Sequence, residues 1–328
     1  PLASHTVFSL GPYNFFSSLI SITQECEIMI LRVVKWMLVI AAVLVAVCFA
    51  YYQYLVFSFN TEALPDNHGE MNTQLFLSNN VKQPLIVGLG GAEGGNAWAG
   101  DYWSDQRERF LSQGYGFLAL GYFGMEGISR ELDRIPLDGV MEAILETTKN
   151  PMIDSDCIIL IGGSKGAELS LALASYYPQI KAVVAIVPGS AIFAAHTIAQ
   201  NTPSFTLRGE HLPFVPVPLS AQPALLQRDL RAAWIEMLRN QEAVDNASIS
   251  VETINGPLLF LSAMKDEMWP STEMSEVMMD RLQSMQFPHY FEHVAIDGYH
   301  ASPLDHFDLV ENFLEERVIS ANQGSCAR

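Results

Sequence analysis

The segment most able to do chemistry is Gly162-Gly163-Ser164-Lys165-Gly166, which sets a serine between an apolar run at 157–162 and a helical run at 165–175. A tight strand-to-helix turn needs positions of little steric cost, and close strand–helix packing leaves no room for side chains beside the serine. Such a turn lifts the hydroxyl above a sheet and places it at a helix N-terminus, where the dipole favours developing negative charge. Outside that setting the pentapeptide would be an ordinary tight turn. A serine hydroxyl is inert near neutral pH without a base, and this kind of elbow is followed along the chain by an acid and then a histidine. Asp266 follows the apolar run 258–263, with Glu267 beside it as a competitor; the spacing to Trp269-Pro270 favours Asp266. His300, in Gly298-Tyr299-His300, follows the run 289–296. Its rivals His289 and His293 lie inside that run and His306 opens the last helix, so each reads as structural. In this arrangement Asp266 holds the imidazole tautomer and stabilises the imidazolium without taking the proton.

The glycine-rich stretch 90–95 follows the first core strand and permits its backbone N–H groups to turn toward the serine. Gly91 and Ala92, with the N–H of Lys165, are the candidate oxyanion donors. A phosphate-binding loop is the rival reading, but neither G-K-[ST] nor G-x-G-x-x-G follows.

The elements that must hold these residues are visible as alternating patterns. Runs at 85–90, 116–121, 157–162, 181–187 and 258–263 are nearly all apolar, as parallel strands buried on both faces are, and 289–296 reads as a sixth strand. Between them 99–113, 139–149, 165–176, 272–286 and 305–318 read as helices. This alternation predicts an α/β-hydrolase fold: a doubly wound, mostly parallel sheet with its chemistry beyond the C-terminal strand ends. Residues 189–250 exceed an ordinary connection and hold Phe193, Phe205, Phe214, Leu225, Leu226 and Trp234. They read as a lid-like insertion shaping an acyl pocket, or as an excursion packed on the core. Trp269 is expected to pack the acid loop.

The N-terminal part is different in kind. Residues 36–52 carry no charge and the apolar run extends to Phe59, preceded by Arg32 and Lys35. That length spans a bilayer, and the basic flank keeps its N-terminal side in the cytoplasm, leaving the catalytic domain extracytoplasmic. A cleaved signal peptide, with Cys48 and Ala50 before the cut, is the alternative. The expected organisation is a leader without structural role at 1–28, upstream of Met29, then an anchor at 29–59, a linker at 60–80 and a catalytic domain at 81–328.

Of 328 residues 49% are apolar and 16% charged, enough for a large core and against global disorder. The net charge is −18, and residues 61–328 carry 34 acidic and 16 basic groups. Such a surface repels nucleic acid, so no nucleic-acid partner is expected. Cysteines at 26, 48, 157 and 326 form no disulfide framework or metal-ligand spacing, and Cys157 reads as a small buried hydrophobe. The histidines show no paired metal spacing. Neither a metal nor a cofactor is expected.

Residues from about 85 to 318 resemble the C-terminal catalytic domain of the acyl-CoA thioesterase and bile acid-CoA:amino acid N-acyltransferase family. The likeness rests on 162–175, Arg208-Gly209-Glu210-His211-Leu212-Pro213, 266–271, 298–300 and 120–124. It implies attack on an acyl thioester, with Ser164, Asp266 and His300 matching the family's triad. Two departures concern the substrate. The β-sandwich domain that precedes the catalytic one in animal members is replaced by a linker and a membrane segment. An extracytoplasmic, acidic domain also meets little CoA and repels it. The expected activity is serine acyl hydrolysis of a small-molecule thioester or ester, because water resolves an oxygen-ester acyl-enzyme well. Acyl transfer to an amino acid, a carboxylesterase acting on a non-CoA substrate, and a non-enzymatic binding protein are the alternatives.

Overall fold

The computed structural model describes residues 13–78, 81–320 and Cys326, in two units, Pro1–Phe59 and Asn60–Arg328. The first contains helix α1, Tyr13–Ser58. Its stretch Thr23–Ser58 has a mean hydropathy of 2.6 in its most apolar window and none of that window is buried, so it is long and apolar enough to cross a membrane. A signal sequence passes the same test. The helix starts upstream of Met29, so residues 13–28 of the expected leader are helical; residues 1–12 lie outside the described residues.

The second unit is built on a seven-stranded sheet. Its strands are β1 (Asn72–Phe76), β2 (Gln83–Leu89), β3 (Gly116–Gly121), β4 (Ile153–Gly163), β5 (Ile180–Ile186), β6 (Leu258–Ala263) and β7 (Phe291–Ile296), in the order β1-β3-β2-β4-β5-β6-β7. All neighbours are parallel except β1, which pairs antiparallel with β3 at the edge. Every residue of β2, β3 and β6 is buried, because helices cover both faces. One face packs Leu85, Leu118, Leu160 and Val183; the other packs Ile86, Phe117, Ile159 and Val184. This is the period-two alternation of a strand written in apolar residues on both sides. The order reverses between β2 and β4, and the crevice above such a reversal is where ligands bind in open α/β sheets.

The helices are α2 (Ser104–Ser112), α3 (Leu137–Thr148), α4 (Lys165–Tyr176), α5 (Gln222–Leu226), α6 (Leu230–Leu238), α7 (Gln241–Ala247), α8 (Ser271–Ser284) and α9 (Phe307–Phe313), the last continuing as a π-helix, Leu314–Ile319. The helix expected at 99–113 is instead two 3-10 turns, Ala97–Ala99 and Asp101–Trp103, ahead of α2. Gly100 is extended between them (φ −71°, ψ 166°), which breaks the helical run.

Residues 189–250 hold α5, α6, α7 and most of a small second sheet, whose strands are Ile135–Pro136, Phe205–Leu207 and Glu210–His211. Phe193, Val215, Met237 and Val244 form a separate apolar cluster there with Trp269 and Met274. The Asp229 and Asn240 side chains cap α6 and α7 by accepting from the N–H groups of Ala232 and Ala243. Within 60–80, the carbonyls of Thr61 and Ala63 accept from the buried Arg134 guanidinium, which also pairs with Asp133.

Cys157 is buried, as expected, but it is not an isolated hydrophobe: it forms a disulfide with Cys326, with Cα atoms 5.0 Å apart. A pair 169 residues apart, one member in a core strand, leaves no local spacing for a sequence to reveal. Closing so long a loop restricts the unfolded chain, so Cys326→Ala should lower stability by about 2–4 kcal/mol in denaturant unfolding. Alkylation of the unfolded, unreduced protein should label Cys26 and Cys48 and spare the other two; four labelled thiols would contradict the bond.

Candidate active site

The serine turn is held by steric exclusion. Ser164 sits between β4 and α4 with φ 53° and ψ −119°, a positive-φ conformation that costs a non-glycine residue on the order of 1–3 kcal/mol. Its N–H donates to the Ile186 carbonyl at 2.8 Å, and its own carbonyl accepts from Ala167 and Glu168. A Cβ on Gly162 would lie 2.1 Å from the Gly166 carbonyl oxygen, and one on Gly166 would lie 2.4 Å from the Leu89 and Gly90 oxygens. At Gly163 a Cβ would meet nothing within 4 Å. Gly162 and Gly166 are therefore required, and Gly163 is free of that constraint.

The acid loop follows β6. Asp266 is buried and its carboxylate accepts from the N–H groups of Met268 (3.0 Å) and Trp269 (3.2 Å) and from Ser271 Oγ (2.6 Å). His300 Nδ1 lies 2.8 and 2.9 Å from the two carboxylate oxygens. Donation from Nδ1 leaves the lone pair of the neutral ring on Nε2. Glu267 takes a different part: its carboxylate accepts from the backbone N–H of His300 at 2.9 Å, fixing the loop that carries the imidazole. The structure thus brings Asp266, and not Glu267, to the ring. Of the other histidines, His293 bonds Ser262 Oγ at 2.7 Å and His289 packs beside Phe287.

Ser164 lines two cavities. One, of about 250 Å³, is shared with His300, Gly91, Glu93, Trp98 and Trp103. The other, of about 390 Å³, is roofed by the insertion through Val217, Leu225, Leu230, Trp234 and Met237, and has Trp269 in its wall. Trp269 also holds the acid loop, donating from Nε1 to the Val187 carbonyl at 3.1 Å.

The three expected oxyanion donors differ in state. Lys165 N–H is the first of α4 and has no intrahelical acceptor. Ala92 lines both cavities beside Ser164. The Gly91 N–H, however, donates to Glu93 Oε1 at 2.9 Å. The loop is anchored by Tyr122, whose hydroxyl donates to the Gly90 carbonyl at 2.7 Å. Burial first, and then Glu93 and Glu168, push that phenol well above its ordinary range, so it remains a donor.

The Lys165 side chain was not singled out by sequence, although K-x-x-E at one helical turn was there to see. It is buried, with Nζ 2.8 and 2.7 Å from the Glu168 oxygens and 3.0 Å from Ser204 Oγ. Burial draws the lysine down and the glutamate up, and each opposes that shift in the other. Glu168 also accepts from the Phe193 N–H, tying the serine helix to the insertion. Among the described residues no group of three His, Cys, Asp or Glu side chains could hold a metal ion.

The model of the BAAT / Acyl-CoA thioester hydrolase C-terminal family matches residues 137–298. The chain is 27% identical over 224 residues to mouse acyl-coenzyme A thioesterase 6, covering 67% of this chain and 49% of that protein. It is 31% identical over 174 residues to rat acyl-coenzyme A amino acid N-acyltransferase 2, covering 53% of this chain and 39% of the other. It therefore spans half or less of the length of these curated relatives. Among solved structures, the acylaminoacyl peptidase of Pyrococcus horikoshii superposes with a TM-score of 0.54 at 16% identity, over 75% of this chain and 39% of that one, which shows the α/β-hydrolase fold.

Removing one partner of a buried ion pair strands the other charge. Glu168→Ala should therefore cost roughly 3–5 kcal/mol in urea unfolding, and Lys165→Met in the same chain should recover part of the loss. An unchanged midpoint for the single variant would show that the pair is not buried in solution.

Proposed function

Because the chain belongs, through residues 137–298, to the BAAT / acyl-CoA thioester hydrolase family, we propose that it is a serine acyl hydrolase that cleaves an acyl thioester or ester through Ser164, His300 and Asp266. The observation that carries this reading is the hydrogen bond from His300 to buried Asp266, made at the wall of a cavity that also holds Ser164 on its positive-φ turn.

The chemistry follows from these positions. Ser164 Oγ attacks the carbonyl carbon while its proton passes to His300 Nε2, and Asp266 stabilises the imidazolium. The oxyanion is met by the Lys165 N–H and by Ala92, at the positive end of α4. Collapse of the intermediate breaks the carbon–sulfur or carbon–oxygen bond, and His300 returns the proton to the departing group. Water then attacks the acyl-serine, its proton goes to His300, and a second collapse frees the carboxylic acid and restores the serine hydroxyl. The larger cavity is walled mainly by apolar side chains, with Lys165, His196, Thr197 and Gln200 among them, and suits the acyl chain.

Acyl transfer to an amino acid would use the same first half-reaction. A serine ester is a poorer acceptor of amine attack than a cysteine thioester, which favours hydrolysis here. The site is further proposed to face an extracytoplasmic compartment. Arg32 and Lys35 precede the apolar helix, and a disulfide persists where the surroundings are oxidising.

In the full chain, a fluorophosphonate probe should label Ser164, and Ser164→Ala should lose both labelling and hydrolysis of acyl thioesters and p-nitrophenyl esters. Asp266→Asn should lower kcat by about 10⁴ by imposing the wrong tautomer. A folded protein that neither labels nor turns over would exclude the proposal, and a conjugate formed in place of free acid when glycine or taurine is present would favour transfer.

A further inference from the structure

The two cavities that meet at Ser164 are not equivalent, and the base tells them apart. In acyl transfer by serine the histidine protonates the leaving group, so the leaving group departs on the histidine's side. His300 lines the smaller cavity and is absent from the lining of the larger one. On the serine hydrolase reading above, on which this inference rests, the smaller cavity receives the leaving group.

Its lining fits poorly with a polyanion. The ionisable side chains among its described lining residues are His300 and Glu93, and the rest is largely apolar, including Trp98, Trp103, Met268 and Leu304. The indole rings of Trp98 and Trp103 stack at 4.4 Å between centroids. Glu93 is fixed in place: its carboxylate accepts from the Gly91 N–H at 2.9 Å. The space that a Cβ on Gly91 would take lies 2.7 Å from Glu93 Oε2 and 3.2 Å from Ser164 Cβ. The carboxylate thus flanks the nucleophile.

Three cations on the surrounding elements are already engaged. Arg107 donates to the Trp98 and Gly100 carbonyls, Arg231 pairs with Glu273, and Lys265 pairs with Asp297. In the larger cavity the lining cation Lys165 is bound by Glu168. Across residues 61–328 acidic groups outnumber basic ones by 34 to 16, so the long-range field acts in the same sense.

We propose that the smaller cavity is a leaving-group site for a thiol or alcohol with an apolar body and a positive charge or none, and that it discriminates against polyanionic leaving groups such as coenzyme A. Glu93 supplies the charge that attracts a cation, and the stacked indoles with Met268 and Leu304 supply the apolar wall.

Hexanoyl thioesters of thiocholine, N-acetylcysteamine and CoA share one acyl group and one scissile bond, and differ in leaving-group charge. The test is kcat/KM for all three with the full chain in a non-ionic detergent, by thiol release, beside fluorophosphonate labelling of Ser164. The expected order is thiocholine at or above N-acetylcysteamine, with CoA lowest and its deficit shrinking as added salt screens the charges. Glu93→Gln keeps an acceptor for the Gly91 N–H, and should cut the thiocholine-to-N-acetylcysteamine ratio about threefold, as for a partly exposed ion pair. Preference for the CoA thioester overturns the inference and leaves the hydrolase standing, as does a ratio unmoved by Glu93→Gln. Labelling of Ser164 without turnover of either non-CoA thioester also overturns the inference alone. Absence of both labelling and turnover removes the hydrolase reading and this site with it.

Discussion

The contact on which the site depends is the approach of Gly166 to the carbonyl oxygens of Leu89 and Gly90, 2.4 Å from where a Cβ would stand. It brings the start of α4 against the end of β2, so the serine turn and the glycine-rich loop are set relative to each other by backbone alone. Gly162 makes the complementary allowance, accepting the Gly166 carbonyl where a side chain would collide. Between these two constraints Ser164 is left with a positive φ that its own N–H bond to Ile186 helps to retain. The strain is local and the support is distributed over three strands, the arrangement in which a rare backbone conformation persists.

A second layer is electrostatic. The carboxylate of Asp266 is buried but receives four donors, from Met268, Trp269, Ser271 and His300, so its charge is met without water. The Lys165–Glu168 pair is buried beside Ser164 and reaches the insertion through Ser204 and Phe193. Buried pairs add little net stability, but they fix geometry, here that of the helix bearing the serine. The carboxylate of Glu93 on the Gly91 N–H distinguishes that amide from the Lys165 and Ala92 groups. On the proposed mechanism it assigns the oxyanion to the latter two.

Much of this was legible in the sequence because it is written in local patterns. The apolar runs at 85–90, 116–121, 181–187 and 258–263 lie within a residue or two of β2, β3, β5 and β6, and the run 157–162 is the buried part of β4, since strands buried on both faces carry little else. The serine turn was readable because sterics demand glycine at fixed offsets, and Asp266 and His300 because each follows a strand end. What was not legible is long-range. The Cys157–Cys326 bond, the Glu267 bond to the His300 amide and the Glu93 bond at Gly91 join residues whose types alone do not announce their partners. The helix expected at 99–113 failed because a tolerated glycine, Gly100, here takes an extended conformation.

On the proposed mechanism Ser164 carries the acyl group between two half-reactions, with His300 as the proton carrier. The most direct test is to mix His300→Ala with a hexanoyl thioester, quench, and measure intact and peptide masses. A single hexanoyl adduct should accumulate slowly and map to Ser164, because deacylation also needs the base. An adduct on another residue, or wild-type turnover retained by the variant without any adduct, would contradict it.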